Sequence, residues 1–346
     1  MSPVPDETRP GNLSDPDQDD PGRREEWLAS HHARWSTPEY ELTRILTQAG
    51  VVPIQIDRLL AGQANEVYAV SESNGSEFIL RIARRPDPRF ETEEAVIGLV
   101  RQAGVPAPEV LATGPLEIDG AASAFILERR LPGVMLRDLI LAEPGAVTSV
   151  LEELGEILAM IHEITVSGFG NLNAQLSAPY ETYSAWFVDV FVDRHLPSIL
   201  SAVQDNDQAV GLLNRAGELL VGHREILDRA SPRLAHGDVS PTNVLVASGR
   251  ISGIVDWEAA KGAPRANDFA WWTSGTVSLA QPPDPDAILA GYQRVTSLEP
   301  EFWELFKLCQ LRITAGLVGY GASVEDRTVV ARALARLRDL VDAFGQ

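Results

Sequence analysis

Hydrophobic and polar positions change their period several times along the chain. Residues 1–22 carry almost no large apolar side chains and much Pro and Asp, which predicts a disordered tail. A helix is expected from Ser36-Thr37-Pro38-Glu39, where Ser36 and Glu39 fit a capping box and Pro38 suits the first turn. Tyr40, Leu42, Ile45 and Leu46 continue it to a stop near Gly50. The pattern then shortens. "NEVYAV" (65–70) and "EFILRIA" (77–83) read as strands joined across Asn74-Gly75, a strong hairpin signal. A helix follows at about 90–103 and stops at Gly104. Two further strand-like runs are "EVLATG" (109–114) and "SAFILERRL" (123–131).

After "LPG" (131–133) the helical period dominates. Leu151, Leu154, Leu158 and Ile161 mark a helix over 148–163, and others are expected at about 181–200, 206–228, 285–296, 300–318 and 325–344. The division is an N-terminal polar tail (1–35), a sheet-rich unit (36–130) and a helical unit (131–346). The strand interruption in the last unit is "NVLVA" (243–247) and "ISGIVDW" (251–257). A Gly249-Arg250 turn of type II′ would join these strands and set Asn243 directly opposite Asp256. A bulge would shift the pairing by one and leave both side chains at the same open end. Asp238 lies in the loop just before that end.

Composition narrows the function. A net charge of −20 argues against nucleic-acid binding and suits a cationic ligand, although acidity also serves solubility. The single cysteine, Cys309, excludes an intrachain disulfide. The N-terminus lacks an apolar signal region and no apolar run reaches membrane length, so a cytoplasmic protein is expected. The chain has no G-x-x-x-x-G-K-[ST] loop, no G-x-G-x-x-G after a strand, and no G-x-S-x-G elbow.

Asn and Asp are oxygen ligands suited to Mg²⁺, which keeps few protein ligands. Asp238, slightly apart, is free to orient or deprotonate a hydroxyl. Together they suit phosphoryl transfer. Singly, Asp238 and Asn243 also read as turn formers and Asp256 as a strand end.

"HGDVSPTN…GIVDWE" resembles the signature of the aminoglycoside phosphotransferase family, small-molecule kinases with a two-lobed protein-kinase-like α+β fold. The resemblance spans roughly residues 55–345. Within the family the layout is most similar to the subgroup that phosphorylates hygromycin B, through "FILRI" (78–82), "APEVL" (107–111), "LERRLPGVMLRDL" (127–139), "SGFG" (167–170) and "LRITAGLVGYG" (311–321). It implies an antiparallel-sheet N-terminal lobe, a mainly helical C-terminal lobe, and a monomer that uses ATP (GTP stays open) with Mg²⁺. The reaction would phosphorylate a hydroxyl of a cationic aminoglycoside-type antibiotic and confer resistance; a macrolide or metabolite kinase, or a non-catalytic nucleotide binder, is the alternative.

The same resemblance implies the roles. Asp238 would be the catalytic Asp that accepts or orients the substrate hydroxyl, Asn243 and Asp256 the metal ligands, and His236 and Asp268 supports of the catalytic loop. Asp268 also reads as the N-cap of its helix. Arg81 takes the strand position where many relatives carry a phosphate-binding Lys. Glu94 would hold it, with Glu91 and Glu93 as competitors because the helical register is approximate. Glu128, Arg129 and Arg130 would form the hinge whose backbone meets the adenine. Gly62, before a strand, marks either a phosphate-covering loop or a plain turn. Asp189, Asp193, Glu258, Trp271 and Trp272 are candidates for the acceptor. Acids could bind ammonium groups and indole faces could stack on rings or cations; solvated helix faces and core packing are the other readings.

Overall fold

The computed structural model describes residues 33, 35–60, 65–84, 87–118, 120–143, 145, 147–275, 285–323 and 326–344. Residues 1–32 and the candidate glycine loop at Gly62 lie outside the described residues.

The chain opens with helix α1 (Glu39–Gln48), which buries Leu42, Ile45 and Leu46. The expected capping box does not form, because no side chain caps this helix. Tertiary partners take the preceding residue instead. The Thr37 N–H donates to Glu66 at 3.2 Å, and the Thr37 hydroxyl accepts from Arg84 at 2.9 Å.

Strands β1 (Pro53–Leu59), β2 (Asn65–Glu72), β3 (Glu77–Ala83), β4 (Val110–Ile118) and β5 (Ala121–Arg129) form one antiparallel sheet, ordered β1-β2-β3-β5-β4. The β2–β3 hairpin closes through a three-residue loop. Gly75 alone among its residues has a positive φ (85°), and its N–H donates to the Glu72 carbonyl at 3.0 Å. The strand period of two sorts β3. Phe78, Leu80 and Ile82 enter the sheet core with Tyr68, Val70, Phe125 and Leu127. Arg81 and Ala83 face the other way, towards helix α2 (Phe90–Gln102), with Ala83 packed against Phe90. Helix α2 directs Val96, Ile97 and Val100 into the large core of the helical part, so this core reaches past residue 130 into the preceding segment.

A short strand β6 (Val134–Met135) leads to α3 (Leu136–Ala142) and α4 (Thr148–Glu163). After β7 (Gly170–Asn171), the helix expected at 181–200 runs as a wide π-helix (Ala185–His195) that tightens into α5 (Leu196–Ala202). Next come α6 (Asp207–Gly222) and α7 (Arg224–Leu227). The remaining strands are β8 (Arg233–Ala235), β9 (Val244–Ala247), β10 (Arg250–Ile254) and β11 (Lys261–Ala263). Helices α8 (Ala266–Gly275), α9 (Pro285–Val295), α10 (Phe302–Ser323) and α11 (Arg327–Ala343) complete the fold. Helices α4 and α9 cross at backbone contact. A methyl on Gly155 would lie 1.9 Å from the Ile288 carbonyl oxygen, and one on Gly291 1.8 Å from that of Glu152.

Two small sheets frame the 236–243 segment. One has the order β10-β9-β6 and the other β7-β11-β8. Strand β8 enters the 236–243 loop and β9 leaves it, so each end of the loop is fixed in a different sheet. The β9–β10 turn differs from the expected Gly249-Arg250 pair. Ser248 and Gly249 are its central residues, both at positive φ (52° and 76°), and Arg250 already pairs with Ala247. Glu153 explains the early strand start, because it accepts from Arg250 Nε at 2.8 Å and from the Ile251 N–H at 3.1 Å. A bulge between Ile251 and Gly253 then resets the register. Asn243 therefore faces Val255, whose N–H donates to its carbonyl at 2.9 Å, and not Asp256.

Candidate active site

Asp256 leaves the strand in a left-handed conformation (φ 67°, ψ 59°) at the open end of the hairpin. The loop from His236 to Asn243 crosses that end. Its fold is held by its own polar groups. The Asn243 amide donates to the Asp238 carbonyl at 2.9 Å and to Asp238 Oδ2 at 3.2 Å. The Trp271 indole N–H donates to Asp238 Oδ1 at 2.7 Å. Asp238 is thus gripped at both oxygens and is 2% exposed. Burial pushes its carboxyl up to about 8, with the Trp271 N–H and the Lys261 charge pulling the other way.

His236 is fully buried, and burial pushes its pKa down to about 4. A neutral ring fits its contacts. Nε2 bonds the Val255 carbonyl at 3.0 Å, and Nδ1 accepts the Asp238 N–H at 3.2 Å. The ring also packs on Trp257, 4.5 Å between centroids. Asp268, in the first turn of α8, accepts the backbone N–H groups of His236 (2.8 Å) and Gly237 (2.9 Å) and bonds His162 Nε2 at 3.1 Å. Burial acts to raise its carboxyl pKa, but the His162 hydrogen bond and the two histidines hold it below the usual value.

Arg81 lies among three carboxylates: Glu93 at 2.7 Å, Glu128 at 3.1 Å and Asp256 at 3.5 Å. Burial works against its charge, but these acids keep it firmly protonated. Glu93 is fully buried and also accepts the Trp257 N–H at 3.0 Å. It therefore ties α2 both to Arg81 and to the residue after Asp256. The expected partner, Glu94, is exposed and accepts from the Thr113 hydroxyl. One residue along a helix is a 100° turn, and that turn decides the matter. Glu91 is exposed as well.

Part of the expected hinge backbone is already occupied. Glu128 spends its side chain on Arg81. The N–H groups of Arg129 and Arg130 donate to the carbonyls of Glu109 (2.8 Å) and Glu77 (3.0 Å), so flanking chain already takes these donors. Their side chains pair with the same two acids.

The acceptor candidates separate. Both tryptophans belong to the buried helical core; Trp271, 9% exposed, reaches Asp238 with its indole N–H, whereas Trp272 is 1% exposed and offers no face to a ligand. Asp189 is ion-paired with Arg224 on α7, and Asp193 is exposed and adds to the field on that arginine, so neither is directed at Asp238. Glu258 is half-buried and its charge acts on Asp256, Asp238 and Glu93. Lys261 on β11 was not singled out by sequence. Its ammonium lies 5.6 Å from the Trp271 ring and 5.9 Å from the Trp186 ring, beside Gly237.

The donor chemistry suits a hard divalent cation. Asp238, Asp256, Glu93, Glu128 and Glu258 outnumber the nearby cations Arg81 and Lys261. Burial and Glu258 raise the Asp256 carboxyl well above its ordinary range. The Asn243 amide nitrogen is turned to Asp238, which leaves the amide oxygen for another partner. Among the described residues no group of three or more His, Cys, Asp or Glu is arranged as a metal cage. Among the described residues no helix is long and apolar enough to cross a membrane.

Residues 55–306 match the profile of a phosphotransferase enzyme family abbreviated APH. The chain is 27% identical over 218 residues to the hygromycin-B 4-O-kinase of Escherichia coli, covering 62% of this chain and 61% of that relative, less than two thirds of its length. Solved structures agree in fold. A thermostable mutant of aminoglycoside phosphotransferase APH(4)-Ia, in ternary complex with ADP and hygromycin B, superposes with a TM-score of 0.68 at 22% identity, over 87% of this chain and 97% of that one. Aminoglycoside 2′-phosphotransferase-IIIa in its GDP complex gives 0.60 at 16% identity, over 89% and 99%.

Proposed function

The chain belongs to the phosphotransferase enzyme family, and on that premise we propose that it transfers the γ-phosphoryl group of Mg-bound ATP to a hydroxyl of a small molecule, with a hygromycin-like aminoglycoside as the first candidate. One observation carries the reading: Asp238, held at both oxygens, stands at the hairpin end that also presents Asn243 and Asp256. Asp238 accepts and orients the acceptor hydroxyl, so that the oxygen lines up with the transferred phosphorus. Asn243 and Asp256 would hold the metal, which would neutralise phosphate charge. Arg81, fixed by Glu93 and Glu128, places a second positive charge beside Asp256. Asp268 and neutral His236 keep the loop in register. The 128–130 segment is the chain against which an adenine ring would lie.

Incubation with Mg·ATP and hygromycin B should yield a product heavier by one phosphoryl group, read by mass spectrometry. Failure across a broad aminoglycoside panel overturns the substrate assignment; failure across chemically diverse hydroxylated acceptors overturns the transfer reading. A second reading, a kinase of a less cationic hydroxylated molecule, has its own support. Asp189 is occupied by Arg224, and two cations, Lys261 and Arg312, lie beside the Trp186 ring. Resistance to an antibiotic and a cytoplasmic setting belong with the first reading.

A further inference from the structure

Asp268 and Trp271 sit three residues apart on α8 and so share one face of the helix. That face meets three consecutive residues of the catalytic loop. Asp268 accepts the N–H groups of His236 and Gly237, and Trp271 donates to the carboxylate of Asp238. The first contact fixes the backbone and the second fixes the side chain. We propose that Trp271 is a positioning residue that locks the Asp238 rotamer, making α8 a two-point clamp on the catalytic loop.

The chemistry of the contact favours a strong bond. An indole N–H is a donor only, and once Asp238 is ionised, as accepting a hydroxyl proton requires, its bond to the carboxylate is charge-assisted. The separation is 2.7 Å and both side chains are under 10% exposed. The Lys261 ammonium over the same ring, at 5.6 Å, draws electron density from the indole and sharpens its N–H as a donor. Asn243 occupies the other carboxylate oxygen. The lone pairs that remain on Asp238 therefore point in directions set by Trp271 and Asn243 together, and an acceptor hydroxyl must approach along them. The helix is itself anchored, since Gln310 on α10 donates to Thr273, two residues past Trp271, at 2.9 Å.

The role rests on the phosphotransfer reading, so the test separates the two. Trp271→Phe removes the donor and keeps an aromatic ring; Trp271→His restores an N–H. With the full chain and Mg·ATP, the Phe variant should lose about 10- to 100-fold in kcat, the range of one hydrogen bond to a charged group. Its KM for nucleotide should stay within about twofold, and the His variant should recover part of the loss. A Phe variant as fast as the wild type, or a His variant no better than Phe, overturns the proposal. A faster Phe variant would make Trp271 a plug on Asp238 and overturns it equally. A second measurement needs neither turnover nor a folded Trp271 variant. In ¹⁵N-indole spectra, Asp238→Ala should shift one indole N–H resonance upfield and speed its hydrogen exchange. No such change overturns the contact. If the wild type phosphorylates nothing while this resonance responds, the transfer reading falls and the clamp geometry stands.

Discussion

Glu93 and Glu94 are neighbours in sequence and opposite in surroundings, and converting each to its amide tests the register of α2. In Glu93→Gln the amide oxygen can still accept the Trp257 N–H, but the charge facing Arg81 at 2.7 Å is gone. At an effective dielectric of ~20, the gross attraction at such a separation is roughly 6 kcal/mol. Against it stands the cost of burying the Glu93 carboxylate, visible in its raised pKa, which a neutral amide does not incur. What is lost on balance is one charge-assisted hydrogen bond, about 1.5–3 kcal/mol. Arg81 retains Glu128 and Asp256 and will swing towards them. The affinity for Mg·ATP, measured by titration calorimetry, should weaken by at least about tenfold, since 1.4 kcal/mol is a factor of ten. Global stability should fall by the same order, a melting shift of several degrees. Glu94→Gln touches only an exposed contact with Thr113, so its stability should stay within about 0.5 kcal/mol and its nucleotide affinity unchanged. A larger effect from Glu94→Gln than from Glu93→Gln would refute the assignment of Glu93, as would silence from both.

Three further outcomes follow from the same geometry. Asp238→Asn should lower kcat by about 10²- to 10⁴-fold, the usual share of a general base, and leave the nucleotide dissociation constant nearly unaltered by calorimetry. Gly237→Ala places a methyl 2.2 Å from the Ala259 carbonyl oxygen at φ +81°, so urea unfolding should show a loss of about 1–3 kcal/mol from overpacking, with left-handed strain adding about 1–2 kcal/mol. Asp268→Asn should cost about 1.5–3 kcal/mol at pH 7 through its weakened bonds to the loop and His162. The Asp268 carboxyl pKa is depressed in the folded state, so its stabilisation is present above the ordinary Asp pKa and lost as pH falls through the folded value. The gap between wild type and variant should therefore close below about pH 4, as read by melting temperature against pH.

Period and turn chemistry carried much of the fold in the sequence. The alternation in "EFILRIA" marks β3, and the leucines at 151, 154 and 158 mark α4, because burial on one face repeats every 2 or 3.6 residues whatever lies opposite. The spacing from Asp238 to Asn243 and the two strands after it likewise brought three oxygen-bearing residues to one hairpin end. The one-residue error in register left that result intact, since Asp256 bends out of the ladder. Several choices needed the tertiary structure. Glu93 or Glu94 faces Arg81 according to a 100° rotation that an approximate helix start does not fix. Trp271 and Trp272 are adjacent and both buried in the helical core, and only the packing of α8 against the loop gives Trp271 the bond to Asp238. Asp189 looks available until Arg224, 35 residues away, is found bound to it. Local sequence encodes which groups a segment can offer. Contacts between distant segments decide which of those groups are already taken, and that decision requires the whole folded chain.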